Sequence, residues 1–298
     1  MWQQLLDRLK QGETHALARA ISLVENEVPG YEALLEQLPA ANAQLIGITG
    51  PPGAGKSTLT DALIGAFVQQ GKKTGILCID PSSPFHHGAL LGDRIRMSEW
   101  YNHPGVFIRS LASRGSLGGL HPKIIEITDL MKAAQFDPVI IETVGVGQSE
   151  VEIAGLADTT VVVEVPEAGD EIQTMKAGLM EVADIFVVNK ADRPDADRFV
   201  NNLRLMLAPA FNQQKHTVEI IKTIATQKKG IDELLAAVTR HHQLTVDPNR
   251  KYRLLADKSY QLIRHKRMLG TSKEDLFRAI KSASEKGDFN FYRFVHTF

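Results

Sequence analysis

Apolar positions in the first 25 residues recur at helical spacing: Leu5, Leu6, Leu9, Ala16, Leu17, Ala20, Ile21 and Val24. Gly12 interrupts the pattern and Pro29-Gly30 ends it, and a short helix is predicted from Tyr31 to Leu38. From Leu45 the period changes. Nearly continuous apolar runs at 45–49, 74–80, 106–109, 138–143, 159–165, 184–189 and 217–222 alternate with helical stretches. Such runs are expected of strands covered on both faces. Strands alternating with helices predict an α/β fold, a mostly parallel central sheet flanked by helices. Pro138 opens one run, and a strand's first residue tolerates proline. After about Gln243 two more helical stretches follow, roughly 250–268 and 272–286, separated by Gly270. The expected organisation is an N-terminal helical extension (1–42), a central α/β domain (43–245) and a C-terminal helical arm (246–298).

Composition narrows the classes. The chain has 298 residues, 43% hydrophobic and 23% charged, which suits a soluble globular protein and excludes a disordered one. A net charge of −1 supplies no field to draw the protein onto nucleic acid or a membrane, so neither is an expected partner. Residues 250–298 hold 12 Lys and Arg against 5 Asp and Glu, read as solvated helix faces. The single cysteine, Cys78, excludes an internal disulfide framework and a multi-cysteine zinc site. No apolar run approaches the roughly 20 residues that span a bilayer. The N-terminus has acids and no apolar core before a cleavage site, so a cytoplasmic location is expected.

The strongest local signal is Gly50-Pro51-Pro52-Gly53-Ala54-Gly55-Lys56-Ser57, followed by Thr58. It fits G-x-x-x-x-G-K-[ST] between a predicted strand and a predicted helix, the context that phosphate loop requires. Its glycines let backbone N–H groups turn around a phosphate, and the helix N-terminus adds positive potential. Lys56 is expected to reach the β- and γ-phosphates, and Ser57 to offer its hydroxyl to Mg²⁺. Asn189-Lys190-Ala191-Asp192 ends the strand at 184–189, 133 residues beyond Lys56. N-K-x-D there reads as a guanine-specificity element. The Asp192 carboxylate can accept from guanine N1 and its exocyclic amine, whereas adenine leaves it unpaired. Asn189 would tie this loop to the phosphate loop, and the Lys190 stem would cover the base. A further base-contacting loop is expected near Thr223-Ile224-Ala225. Asp80 and Glu142 end strands where carboxylates can hold Mg²⁺, directly or through water. Gly145 would let its N–H approach the γ-phosphate, and Asp93 is a candidate ligand or water-orienting group on a loop. Gly169, Asp170, Gln173 and Lys176 read as a hinged loop over the site.

The motif series P-P-G-A-G-K-S, D-P-S-S-P, L-G-D-R-I-R-M, S-L-G-G, E-T-V-G-V-G-Q-S-E, A-G-D-E-I-Q-x-x-K-x-G and N-K-A-D resembles the MeaB/ArgK family of GTPases, spanning roughly residues 10 to 240. That resemblance implies a homodimeric P-loop GTPase of the SIMIBI class. It implies a chaperone of an adenosylcobalamin-dependent acyl-CoA mutase of the methylmalonyl-CoA mutase type, using GTP to gate cofactor loading and to eject damaged cofactor. Lys56, Ser57, Asp80, Asp93 and Glu142 match the family's phosphate and Mg²⁺ residues. Asp170, Gln173 and Lys176 match a switch loop that responds to the mutase. The C-terminal helices stand where the family has a dimerisation arm. The alternatives are a GTPase metallochaperone for nickel, zinc or cobalt, a nucleotide-dependent kinase, and a binding module without hydrolysis. Adjacent His86 and His87 are read as solvated loop residues.

Overall fold

The computed structural model describes residues 1–80, 97–113, 119–145, 149–166, 177–211, 218–244, 248–268, 270–285 and 289–296. Three helices come first: α1 (Trp2–Lys10), α2 (Thr14–Glu25) and α3 (Tyr31–Leu35). Gly12 breaks α1 from α2 with φ +77°, a left-handed conformation that suits glycine. The predicted strands all form: β1 (Gln44–Thr49), β2 (Thr74–Asp80), β3 (Val106–Ala112), β4 (Pro138–Glu142), β5 (Thr159–Glu164), β6 (Ile185–Val188) and β7 (Glu219–Lys222). They make one sheet in the order β3-β2-β4-β1-β5-β6-β7, with every pairing parallel. Between the strands lie α4 (Lys56–Gln69), α5 (Ile124–Ala133), α6 (Ser149–Ala154), α7 (Ala177–Val182) and α8 (Ala196–Phe211). After β7 comes α9 (Ile231–Leu244).

Strand alternation sorts the core onto two faces. On one, Leu45, Leu77, Val139 and Ile141 pack with α5 and with Leu5, Leu9, Leu17 and Ile21 of α1 and α2. On the other, Ile46, Ile48, Ile140 and Val161 pack with Leu59 and Leu63 of α4 and Leu234 and Val238 of α9. Burial of leucine-sized side chains stabilises by about 1.5–3 kcal/mol each, so these faces hold the sheet between its helices. The N-terminal helices are fastened by charge as well. Arg109 on β3 pairs with Glu25 and donates to Ser22 Oγ at 3.2 Å. Lys123 donates to Glu27 at 2.8 Å and to the Tyr31 hydroxyl at 3.0 Å, and it lies 3.4 Å from Glu126. Cys78 is buried mid-strand, and Trp100 donates its indole N–H to Asp61 on α4 at 2.8 Å.

Residues 1–248 form one compact unit and residues 249–298 another. Within the second, α10 (Pro248–Met268), α11 (Lys273–Glu285) and α12 (Phe291–Val295) follow one another. Ser272 Oγ accepts the Asp275 N–H at 3.0 Å and Asn290 Oδ1 accepts the Arg293 N–H at 3.0 Å, capping α11 and α12. Tyr252, Tyr260, Ile263, Phe277, Phe291 and Tyr292 are exposed. No helix among the described residues is long and apolar enough to cross a membrane.

Candidate functional site

Open parallel sheets bind ligands beyond the carboxyl ends of their strands, where the chain switches direction across the sheet. Here β1 is central, with β4 on one side and β5 on the other. Residues 50–55 leave the end of β1 and enter α4 at Lys56. Gly55 takes φ +90° at the helix N-cap, and a Cβ on it would lie 2.4 Å from Asn189 Nδ2, so glycine is required there. Lys56 is 7% exposed and its ammonium donates to Gly50 O at 2.9 Å and Pro51 O at 3.0 Å. The lysine is thus folded back over its own loop, within reach of any anion the loop cradles. Pro51 is half-buried, Pro52 and Gly53 are exposed, Ala54 is buried and Thr58 is half-buried.

Ser57, in the first turn of α4, donates its hydroxyl to Glu142 Oε1 at 2.5 Å. Glu142 ends β4, 3% exposed, and Asp80 ends the neighbouring β2, 5% exposed. Three oxygen-bearing side chains therefore stand at adjoining positions along the sheet's carboxyl edge. Gly145, at φ +80°, sits so close to the phosphate loop that a Cβ would meet Gly50 O at 2.2 Å and Lys56 Nζ at 2.6 Å.

Asn189 follows β6 and is 2% exposed. Its Nδ2 donates to Ala54 O at 2.9 Å, while its Oδ1 accepts Thr223 Oγ1 at 3.0 Å and the Ala225 N–H at 3.2 Å. Lys190 donates to Gly53 O at 2.8 Å. The N-K-x-D loop is thereby pinned to the phosphate loop by two side chains and to the turn after β7 by two hydrogen bonds to Asn189 Oδ1. The Asp192 side chain is exposed, with its carboxylate open to a ligand. Thr223 and the pair Thr49 and Thr143 carry hydrogen bonds here that the motifs alone did not single out. In sequence Thr223 opens the expected base-contacting loop and Thr143 lies within E-T-V-G, but neither pattern shows what its hydroxyl meets, and Thr49 is marked only as a small polar residue ending an apolar run.

Asp93, Gly169, Asp170, Gln173 and Lys176 lie outside the described residues, as do His86 and His87. A cavity of about 730 Å³ opens away from all these motifs, between the linker at 39–44, Lys10, Phe67, Lys72, Lys132 and His242. It carries none of the motif residues.

The arrangement suits one chemistry: backbone and lysine donors for a polyphosphate, hard oxygens beside it, and a carboxylate set to read a base. Comparison with known proteins agrees. The family described as Methylmalonyl Co-A mutase-associated GTPase MeaB matches residues 17–283. GTPase ArgK of Escherichia coli is 40% identical over 242 residues, covering 78% of this chain and 73% of that protein. A fused isobutyryl-CoA mutase of Geobacillus kaustophilus is 39% identical over 237 residues, covering 74% of this chain and 22% of that protein. The crystal structure of an LAO/AO transport system kinase superposes with a TM-score of 0.70 at 27% identity, covering 99% of this chain and 95% of that one. The chain is a P-loop GTPase that binds guanine nucleotide, and it belongs to the methylmalonyl-CoA mutase-associated GTPase family, MeaB.

Proposed function

We propose that this GTPase is a chaperone of an adenosylcobalamin-dependent acyl-CoA mutase of the methylmalonyl-CoA mutase type, gating loading and protection of its cofactor. The observation that carries this reading is the fused isobutyryl-CoA mutase, in which a stretch 39% identical to this chain forms 22% of one polypeptide. Fusion holds two modules at high effective concentration, which is useful only where they act on each other. A separate copy of the GTPase module then meets its mutase in trans.

In this reading Lys56 swings from Gly50 O and Pro51 O onto the β- and γ-phosphates, joined by backbone N–H groups of residues 53–58 and of Gly145. Asn189, Lys190 and Asp192 select guanine, with Ala225 beneath the base-reading loop. Ser57, Asp80 and Glu142 offer a hydroxyl and two carboxylates, a set of hard oxygens that fits Mg²⁺, and these residues would hold it, with Asp93 as a further candidate. Held by these residues, Mg²⁺ would supply positive charge against the negative charge of the nucleotide's phosphates. A carboxylate of this group positions the attacking water. Intrinsic hydrolysis is slow, and the mutase accelerates it by acting on Asp93, Gly169, Asp170, Gln173 and Lys176. Residues 246–298 form a homodimerisation arm, and the exposed Tyr252, Tyr260, Ile263 and Phe277 supply its apolar contacts.

The test is GTP turnover by the purified protein, alone and with the adenosylcobalamin-dependent acyl-CoA mutase of the same host. Marked acceleration, with ATP inert, supports the reading. Intact GTP hydrolysis that the mutase leaves unchanged overturns it.

A further inference from the structure

At the end of β4 the chain meets the phosphate-loop side through Glu142, Thr143 and Gly145, while Val144 faces the other way. Glu142 Oε1 accepts the Ser57 hydroxyl. Val144 packs partly buried against the core face that holds α1 and α2. Gly145 lies against Gly50 O and Lys56 Nζ. Between them, Thr143 donates its hydroxyl to Thr49 Oγ1 at 2.8 Å. The two threonines are 2% and 0% exposed.

This hydroxyl pair is not needed to close the sheet. Ladder bonding between β1 and β4 already extends to this point through the Thr143 N–H, which donates to Ile48 O at 3.0 Å. Nor is it needed to fill space, since valine has the same branched shape. What the hydroxyls add is a directional link between the residue just before Gly50 and the residue just after Glu142. Thr49 is the root of the loop that carries Lys56, and Thr143 is the root of the segment that carries Gly145. A buried hydrogen bond restricts the sideways sliding that packing of apolar groups alone tolerates.

We infer that Thr143 is a positioning residue for GTP hydrolysis, acting through Thr49 Oγ1 to hold Glu142 and Gly145 in register against the phosphate loop. It touches no substrate. Its effect falls on the γ-phosphate side of the site, because Glu142 and Gly145 stand there, and leaves the base-reading loop alone, because Asn189 is anchored independently to Ala54, Thr223 and Ala225. The inference rests on the assignment of Gly50–Ser57 as the phosphate loop of this GTPase.

The experiment compares Thr143→Val, Thr49→Val, the double variant, Thr143→Ser and Lys56→Ala with the parent protein. Each is measured for GDP affinity, single-turnover GTP hydrolysis and thermal unfolding. The expected result is a fall of about tenfold in hydrolysis for both single valine variants and for the double, with GDP affinity within about twofold of the parent. Thr143→Ser restores the rate. The double variant unfolds near the parent temperature, because removing both hydroxyls strands neither partner. Its slow hydrolysis then separates positioning from stability. Hydrolysis at the parent rate in the double variant overturns the inference, as does GDP affinity falling in step with the rate. Lys56→Ala guards the premise. If it keeps tight nucleotide binding, the phosphate-loop assignment fails; if it loses binding while the threonine variants hydrolyse normally, only the positioning role fails.

Discussion

Asn189 and Ala54, 135 residues apart in the chain, are joined by a buried hydrogen bond of 2.9 Å from side-chain amide to backbone carbonyl. Residues 189–190 are thus built onto the phosphate loop by side-chain hydrogen bonds, which would couple a base reader there to the phosphate cradle.

Asn189→Ala should therefore weaken GTP and GDP alike. It removes the donor to Ala54 O and the acceptor for Thr223 Oγ1 and the Ala225 N–H, so buried groups lose partners. The expected loss is about tenfold or more in both affinities, with a lowered unfolding temperature, read by nucleotide titration and calorimetry.

Asp192→Asn changes which base is accepted. The exposed carboxylate becomes an amide that donates as well as accepts, which mismatches guanine and matches xanthine. Competition between GTP and XTP should show GTP binding down about a hundredfold and XTP gaining. An unchanged preference would contradict the assignment of residues 189–192 as the base reader.

Gly145→Ala should stall hydrolysis while sparing diphosphate binding. The added methyl would sit 2.2 Å from Gly50 O and 2.6 Å from Lys56 Nζ, on a residue at φ +80°, so the segment must retreat. Single-turnover rates are expected to fall about a hundredfold, since misplacement by an ångström costs that much. GDP affinity, measured in parallel, should change little.

Lys123 makes a prediction about pH. Burial works against its charge, but hydrogen bonds with Glu27 and Tyr31 and the charge of Glu126 outweigh it, so its pKa lies above the ordinary lysine value. A raised pKa stabilises the folded state below the unfolded-state value, and the stabilisation is lost as pH rises through the folded one. Lys123→Met should cost about 3 kcal/mol near neutrality, because it leaves buried Glu126 without its cation. Denaturant unfolding should show the gap between parent and variant narrowing only above about pH 10.5.

The sheet was legible because each strand is a short apolar run with a turn signal at its end, and burial on both faces leaves that trace. The phosphate loop was legible because its glycines and lysine are dictated by local backbone geometry. Other features depend on residues distant in sequence and leave no period behind. Nothing in the alternation of apolar residues shows that α1 and α2 share a core with Leu77 and Ile141, or that Arg109 reaches Glu25. His241 lies in the last turn of α9, where its ring meets Thr159 Oγ1 at 2.9 Å and lies 3.2 Å from Asp184, which ties α9 to β5 and to the turn before β6. The hydrogen bonds of Thr223 and Thr143 were hidden for the same reason. A threonine at a strand end looks alike in sequence whether its hydroxyl meets water or another loop.

The strand order also sets a timetable for synthesis. β1 leaves the ribosome early, yet its two neighbours are β4 and β5, which end at Glu142 and Glu164. Until both have emerged, the strand ahead of Gly50 lacks a ladder on at least one side, and Asn189 is not yet available to hold Ala54. A nascent chain stalled before Glu164 should therefore carry the complete phosphate-loop sequence and bind no nucleotide. Guanine nucleotide can stabilise this protein only late in its making, after the apolar strands most prone to aggregate have already been exposed.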